Sequence, residues 1–384
     1  MSPTLGLGLM RTGLIDPDTP VQVRYKVGTD GRRMKLVFVF SDEFRTERRT
    51  FFPGDDLFWL AQDLHYWGTG DYETYHPSAV TTRNGYLSIK LSQENINGLR
   101  FKCGMINAWN SFCFTGGRIE GRPTRWVFGR QLGSWFSNLG RAGLRASTHS
   151  TWPYSYDHCS VATLANQKYG PNETGGPLAA EMTGVYIDHY GPGLSTDRPG
   201  PRHPGGSWKG RSAPELELFK ASSSDGGFGW NSMSLQLAPY EAGYNLARPD
   251  MTIVYHPERG QQLNPRNQEV YELPGGKFAV YGLEYEPVSE RQDNGYVTWI
   301  SDGDRAWNLI CAALGPDVLT EIGQRLIPQE PMYPIMNLGI SSSFTWIDWK
   351  HLKFPAEMLI DYIRIWGEGY SRLECPTAPP ASGP

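Results

Sequence analysis

Residues 212–220 read Ser-Ala-Pro-Glu-Leu-Glu-Leu-Phe-Lys, a stretch in which acidic and apolar side chains alternate. In a β-strand, residues two apart lie on the same face, so Glu215 and Glu217 share one face. Leu216 and Leu218 share the other. Two carboxyl groups about 5–5.5 Å apart are what a retaining glycosidase requires as nucleophile and acid/base. An edge strand with one solvated face shows the same alternation, and the pattern alone favours this structural interpretation.

Similar segments continue along the chain on both sides of this stretch. Most alternate in polarity and are rich in β-branched or aromatic residues, and Gly (44) and Pro (29) are abundant between them. The best helix candidate, Asp317–Leu326, is short. We therefore predict an all-β chain, folded as one antiparallel β-jelly roll sandwich with long surface loops. The predicted strands are Leu36–Phe40, Tyr86–Leu91, Gly116–Gly121, Met182–His189, Ala213–Phe219, Ser232–Ala238, Met251–Tyr255, Phe278–Tyr285, Tyr296–Ser301, Ile335–Ser341 and Met358–Trp366.

The chain divides into three predicted parts. Residues 1–34 have mixed polarity and Pro-containing turns, which indicates an N-terminal extension that wraps the core. Residues 35–370 are predicted to form the β-sandwich, with one long Gly- and Pro-rich loop over 190–212. Residues 371–384 are predicted to be a disordered tail.

Composition excludes several classes of function. The net charge is −4 and there is no long basic block, so we expect no nucleic-acid partner. No apolar stretch of about 18 residues occurs, so we expect no membrane span within this chain. The five cysteines lack metal-site spacing, and we expect neither a metal nor a cofactor. Asn172 begins the only N-x-S/T sequon and is the predicted glycosylation site.

Longer motifs accompany the stretch APELELFK (213–220) over most of the chain. They are GLIDPDTP (13–20), FSDEF (40–44), FFPGDD (51–56), DLHYWGT (63–69), FCFTGGRIE (112–120), NLGRAG (138–143), WPYSYDHC (152–159), SLQLAPY (234–240), YGLEYE (281–286), GYVTW (295–299), QRLIPQEPM (324–332), MNLGIS (336–341) and IDYIRIW (360–366). Together they resemble the fungal β-glucan synthesis-associated proteins, of glycoside hydrolase family 16, over roughly residues 13–375. This chain would be a divergent member.

The resemblance implies a β-jelly roll of the concanavalin A-like lectin/glucanase type, whose concave sheet lines a cleft for β-glucan. It also implies a glycoprotein of fungal cell-wall biogenesis that acts in β-1,6-glucan synthesis. Proteins of this kind are type II membrane proteins of the secretory pathway, in the ER, Golgi or plasma membrane, or they lie in the cell wall. The membrane anchor would lie N-terminal to this chain.

The family signature E-x-D-x-x-E implies roles for three residues. Its nucleophile falls on Glu215, its central aspartate falls on Glu217, and its acid/base glutamate falls on Lys220. General acid catalysis contributes about 10²–10⁴-fold, so the lysine puts turnover in question. In a regular strand the side chain of Lys220 would lie on the other face from that of Glu215. The signature therefore requires a β-bulge at 218–219. We expect the two glutamates to raise the pKa of Lys220.

Three further residues are candidates for binding glucan. Trp135 lies in TRWVFGRQLGSWFS (124–137), where relatives carry a Trp-rich stretch that forms part of the cleft floor. Glu284 lies on a segment that resembles a cleft-lining strand, and Trp299 is a candidate for stacking on sugar. An ordinary polar strand face explains Glu284 as well, and core packing explains Trp299 as well.

Relatives also carry a cysteine pair in the long loop, where this chain has Ser195-Thr-Asp-Arg198. We therefore expect Cys113 or Cys159 to lack its usual partner. The stabilisation of about 2–4 kcal/mol that a disulfide provides would then be missing.

Three functions are open at this point. The first is a retaining β-glucan glycosidase or transglycosidase that uses Glu215 as its nucleophile. The second is a catalytically inactive protein that binds glucan or partners during wall assembly, as Lys220 indicates. The third is a scaffolding protein of a secretory complex with no affinity for glucan. The linkage, β-1,3 or β-1,6, is open as well.

Overall fold

The computed structural model consists almost entirely of β-strands. It describes residues 13–29, 35–66, 70–108, 111–126, 133–141, 215–223, 229–236, 246–255, 278–287, 294–316, 324–328, 332–342, 347, 349–350 and 352–367. The strands are β1 (Tyr25–Val27), β2 (Lys35–Asp42), β3 (Leu60–Ala61), β4 (Glu73–Tyr75), β5 (Val80–Arg83), β6 (Tyr86–Leu91), β7 (Phe101–Cys103), β8 (Met105–Asn107), β9 (Gly117–Trp126), β10 (Gly133–Arg141), β11 (Glu215–Ser223), β12 (Gly229–Gln236), β13 (Thr252–Val254), β14 (Tyr281–Glu286), β15 (Tyr296–Ser301), β16 (Asp304–Ile310), β17 (Met332–Gly339) and β18 (Ala356–Gly367). The all-β prediction is confirmed.

Helices are short in the part of the chain that the structure describes. One α-helix, α1, spans Cys311–Leu314, and three 3₁₀ turns span Val21–Val23, Pro77–Ala79 and Pro249–Met251. Residues 324–326 of the predicted helix Asp317–Leu326 are not helical, and residues 317–323 lie outside the described part. Among the described residues, no helix is both long enough and apolar enough to cross a membrane.

Two antiparallel sheets contain most of the strands. The larger sheet has the order β1-β2-β18-β9-β14-β15-β16-β13, and β6 pairs with both β18 and β5. The smaller sheet has the order β12-β11-β10-β17-β8-β3. The short strands β4 and β7 form a separate parallel pair. Strands that are neighbours in a sheet are often far apart in sequence, so the fold depends on long-range pairing.

The core lies between the two sheets. On β11, the side chains of Leu216 and Leu218 are fully buried. The ring of Phe219 stacks on that of Tyr281 from β14, with centroids 4.3 Å apart and an interplanar angle of 17°. These contacts pack one face of the smaller sheet against the larger sheet. The polar residues of β11 are therefore on the face that points away from the core.

The predicted N-terminal extension is described over residues 13–29, and it contributes the edge strand β1 to the larger sheet. Lys26 forms an ion pair with Glu120 of β9. The main-chain N–H and the hydroxyl of Thr29 donate to one carboxylate oxygen of Glu284, at 2.7 and 2.8 Å. These contacts attach the segment to the larger sheet.

Cys113 is disulfide-bonded, so the prediction that Cys113 or Cys159 lacks its usual partner now rests on Cys159. Cys103 and Cys311 are buried thiols. Several predicted features lie outside the described residues: Cys159, the glycosylation site Asn172, the strand Met182–His189, the loop 190–212 and the tail 371–384.

Candidate functional site

The candidate site is built on β11, between β10 and β12 of the smaller sheet. Its pairing with β12 shifts by one residue, because Glu217 is opposite Ser234 whereas Lys220 is opposite Ser232. The structure thus contains the β-bulge that the spacing requires. The extra residue allows two consecutive residues, Leu218 and Phe219, to be buried in the core.

The bulge brings the three signature positions to one face. Glu215 and Glu217 are each 2% exposed, and Lys220 is partly exposed. The side chain of Glu217 accepts a hydrogen bond of 2.6 Å from the Ser234 hydroxyl. Two carboxylates and one ammonium therefore lie side by side on the face away from the core.

Burial dominates the electrostatics of Lys220. It lowers the pKa of the ammonium, and the carboxylates of Glu217, Glu215 and Asp71 offset only part of that effect. The expectation of a raised pKa is therefore wrong, because it counted the neighbouring charges and omitted the loss of hydration. A lowered pKa brings the ammonium closer to the range in which a group can donate a proton.

Sequence reasoning missed a series of hydrogen-bonded polar side chains that begins at Asp71, a carboxylate that raises the pKa of Lys220. The carboxylate of Asp71 accepts a hydrogen bond of 3.0 Å from the hydroxyl of Tyr75. That hydroxyl accepts one of 2.8 Å from the side-chain amide of Asn337 on β17. The available signal was Asn337 itself, a polar residue in the otherwise apolar strand Met332–Gly339, where a buried amide needs a partner.

Tyr333, also on β17, extends the site toward Glu215. Its side chain is fully buried, and both burial and the Glu215 carboxylate raise its pKa well above the ordinary range. The phenol is therefore a neutral group at physiological pH. Within the described part of the chain, no group of three or more His, Cys, Asp or Glu side chains is arranged to hold a metal ion.

The structure brings one of the three predicted glucan-binding positions to the site. Trp135 on β10 is the register partner of Lys220 on one side and of Asn337 on the other. Glu284 belongs to β14 in the larger sheet, where the hydroxyl of Tyr296 donates to it at 3.0 Å. Glu284 therefore lies in the other sheet from β11, where its contacts fit the interpretation of an ordinary polar strand face, and its role in binding glucan stays a prediction.

Trp299 lies behind the site and not in it. Its ring is fully buried in the core between the two sheets, which fits the packing interpretation. It stacks on Trp307 with ring centroids 4.0 Å apart and an interplanar angle of 2°. Its indole N–H donates a hydrogen bond of 2.8 Å to the main-chain carbonyl of Glu217, immediately before the bulge. Trp299 therefore supports the backbone on which the site stands.

Comparisons with known proteins agree with the resemblance seen in the sequence. The family model for beta-glucan synthesis-associated proteins SKN1/KRE6/Sbg1 matches residues 3–381. The chain belongs to this family. It is 35% identical over 394 residues to the beta-glucan synthesis-associated protein SKN1 of Saccharomyces cerevisiae, covering 96% of this chain and 48% of that protein. It is 36% identical over 383 residues to the protein SKN1 of Candida albicans, covering 94% and 49%. The chain thus spans about half the length of these curated relatives.

The chain is also similar to solved structures. One is an endo-acting O-glycanase, from work on the enzymes with which prominent members of the human gut microbiota initiate mucin breakdown. The match covers 90% of this chain and 94% of that chain, at a TM-score of 0.50 and 13% identity. The laminarinase from Rhodothermus marinus covers 87% and 98%, at a TM-score of 0.49 and 15% identity. At 13% identity the first likeness concerns the fold, and with the two-sheet topology it confirms the jelly roll.

Proposed function

We propose that this chain is a glucan-handling domain of fungal cell-wall biogenesis, which binds β-glucan over the smaller sheet at Glu215, Glu217 and Lys220. The observation that carries the proposal is the bulge in β11, which places all three signature positions on one face. A β-bulge next to an active site commonly re-aims a side chain, which is its effect on position 220 here. On this face Glu215 and Glu217 are buried and Lys220 is partly exposed, and Trp299 supports the strand from behind.

We further propose that turnover is slow or absent. In a retaining glycosidase, a carboxylate attacks the anomeric carbon while a carboxylic acid protonates the departing glycosidic oxygen. Glu215 is the candidate for the attack, but the proton donor is replaced by Lys220. Even with its pKa lowered by burial, an ammonium is a weaker acid than the carboxylic acid it replaces, and its positive charge beside Glu215 also reduces the nucleophilicity of the carboxylate. The first function of the site is therefore binding.

The second candidate function is slow transglycosylation, and the lowered pKa of Lys220 favours it. In that case the Lys220 ammonium would give its proton to the leaving oxygen as Glu215 forms the glycosyl–enzyme bond. The resulting neutral amine would then take a proton from the acceptor hydroxyl as the sugar is transferred. Each cycle returns Lys220 to its starting state, and no further reactant is needed.

One experiment separates the two candidates. The unmodified chain, Lys220→Glu and Glu215→Gln would be assayed on β-1,3- and β-1,6-gluco-oligosaccharides for hydrolysis, transglycosylation and binding. Lys90→Glu is the matched control, because Lys90 is exposed on β6 of the other sheet. Binding without turnover by the unmodified chain, and turnover by Lys220→Glu alone, is the expected result. Turnover by the unmodified chain that is lost in Glu215→Gln would favour the second candidate. Absence of glucan binding in every variant would refute both and favour a scaffolding protein.

We also propose that the protein works in the secretory pathway or the cell wall, as a glycoprotein anchored through an N-terminal membrane segment. The disulfide at Cys113 supports an oxidising compartment. Expression in a fungal host tests this, because glycosylation at Asn172 would be seen as a mass shift that Asn172→Gln abolishes. An unmodified Asn172 together with a reduced Cys113 would contradict the proposal.

A further inference from the structure

Two aromatic side chains, Tyr72 and Trp349, form an exposed platform next to the candidate site. Trp349 is 48% exposed and Tyr72 is 41% exposed, and their rings meet edge to face with centroids 5.5 Å apart. The buried ring of Phe101 supports the platform from below, stacked on Trp349 at 5.6 Å and 26°. Phe354 packs against Phe101 in turn, at 5.2 Å. The Trp349 ring is therefore held in place before any ligand arrives.

Two features connect Tyr72 of the platform to the site: its neighbour in sequence and a main-chain hydrogen bond. Tyr72 directly follows Asp71, whose carboxylate acts on Lys220. The main-chain N–H of Tyr72 donates a hydrogen bond of 2.9 Å to the carbonyl of Ile340. Ile340 follows β17, the strand that carries Asn337. The platform thus lies beyond the Asn337 end of the smaller sheet.

We propose that Tyr72 and Trp349 form a second contact for the β-glucan chain, in addition to the contacts at Glu215, Glu217 and Lys220, which a longer oligosaccharide reaches and a disaccharide bound at Lys220 does not. This inference rests on the proposed function. A β-linked glucose ring presents C–H groups on its faces, which pack on an exposed aromatic ring as other apolar surface does. A protein partner would need about 800 Å² of interface. Two half-exposed rings, at about 150–250 Å² each when whole, offer far less.

Oligosaccharide length provides the test. Binding of β-1,3- and β-1,6-linked glucose oligomers, from the disaccharide to the octasaccharide, would be measured by calorimetry for the unmodified chain, Trp349→Ala, Trp349→Phe and Tyr72→Ala. We expect Trp349→Ala to lose about tenfold in affinity for the long oligomers, which is about 1.4 kcal/mol. Affinity for the disaccharide should not change, and Trp349→Phe should keep most of the affinity. Tyr25→Ala is the matched control, because Tyr25 is 53% exposed on β1 of the larger sheet.

The outcomes separate this inference from the proposed function. If the unmodified chain binds short and long oligomers and Trp349→Ala binds both equally well, the platform is not a glucan contact and the proposed function stands. If Trp349→Ala loses the disaccharide and the long oligomers to the same extent, Trp349 belongs to the site at Lys220 and a separate contact is refuted. If the unmodified chain binds no oligomer of any length, the proposed function fails and the platform proposal fails with it. An unchanged melting temperature of Trp349→Ala shows that a lost affinity does not come from unfolding.

Discussion

Replacing Trp299 by phenylalanine should destabilise the protein, because it removes a side-chain hydrogen bond to the backbone of Glu217. The indole N–H donates a hydrogen bond of 2.8 Å to the main-chain carbonyl of Glu217, and the ring is fully buried. Phenylalanine keeps an aromatic ring but has no donor, so the carbonyl is left without this bond. An unsatisfied buried polar group costs about 1–3 kcal/mol. The volume lost with the smaller ring adds roughly 1 kcal/mol. We therefore expect Trp299→Phe to lower the free energy of unfolding by about 2–4 kcal/mol.

Trp307 offers a matched control within the same stack. The ring centroids of Trp307 and Trp299 are 4.0 Å apart, so Trp307→Phe removes the same volume from the adjacent ring of the same stack. Among the residues that the structure describes, the indole nitrogen of Trp307 has no hydrogen-bond acceptor. Its removal therefore leaves no acceptor unsatisfied, and we expect a cost of about 1 kcal/mol or less. The difference between the two variants measures the bond to the bulge.

Equilibrium unfolding in urea, followed by far-ultraviolet circular dichroism, gives both free energies independently of tryptophan fluorescence. Glucan affinity is the second readout. Trp299→Phe should bind more weakly than Trp307→Phe, because only the former releases the carbonyl of Glu217. Equal losses of stability in the two variants would refute the reasoning, since packing alone would then account for both.

Three further predictions concern pH and backbone. Burial lowers the pKa of Lys220 from 10.5, so the unfolded chain binds that proton more tightly than the folded chain does. The free energy of unfolding of the unmodified chain, relative to that of Lys220→Met, should therefore rise as the pH approaches 10.5. A constant difference between the two free energies from about pH 7 to 10 would contradict this. Burial, with a neighbouring carboxylate, raises the pKa of Glu73 well above 4.5. The unmodified chain should therefore lose stability relative to Glu73→Gln as the pH rises above 4.5, which the same titration of unfolding free energy detects. Gly117 has a φ of +100°, and a Cβ there would lie 2.2 Å from the main-chain oxygen of Trp366. Gly117→Ala should cost more than about 3 kcal/mol, against about 1–2 kcal/mol for Gly54→Ala, where φ is +91° and no atom lies within 4 Å; similar melting temperatures for the two would argue against the close contact.

The sequence predicts β11 well because the relevant information is local. A period of two identifies Leu216 and Leu218 as core residues, whichever strands lie beside them. The family signature that the chain resembles also predicts the bulge, because a regular strand would turn Lys220 toward the core. Both features concern adjacent residues of one strand, and both are present in the structure.

The rest of the site depends on contacts that no local pattern contains. Asp71 precedes β11 by a long stretch of sequence, and nothing in its own neighbourhood indicates that its carboxylate acts on Lys220. Glu284 alternates as regularly as the residues of β11, but alternation does not say which sheet a strand joins. The pKa of Lys220 was predicted in the wrong direction because its hydration in the fold is a property of the packed chain. Charges can be counted in a sequence, whereas burial cannot.

The bulge in β11 also affects which substitutions can alter the site during evolution. It places position 220 on the outer face through backbone geometry, and not through the side chain that stands there. Lysine and glutamate codons differ by a single base, so a carboxyl group can return to this position in one mutational step, without any rearrangement of the strand. Under the proposed function, the backbone keeps the place of the proton donor whichever of the two side chains stands there. Gain and loss of catalysis would then be separated by this one substitution.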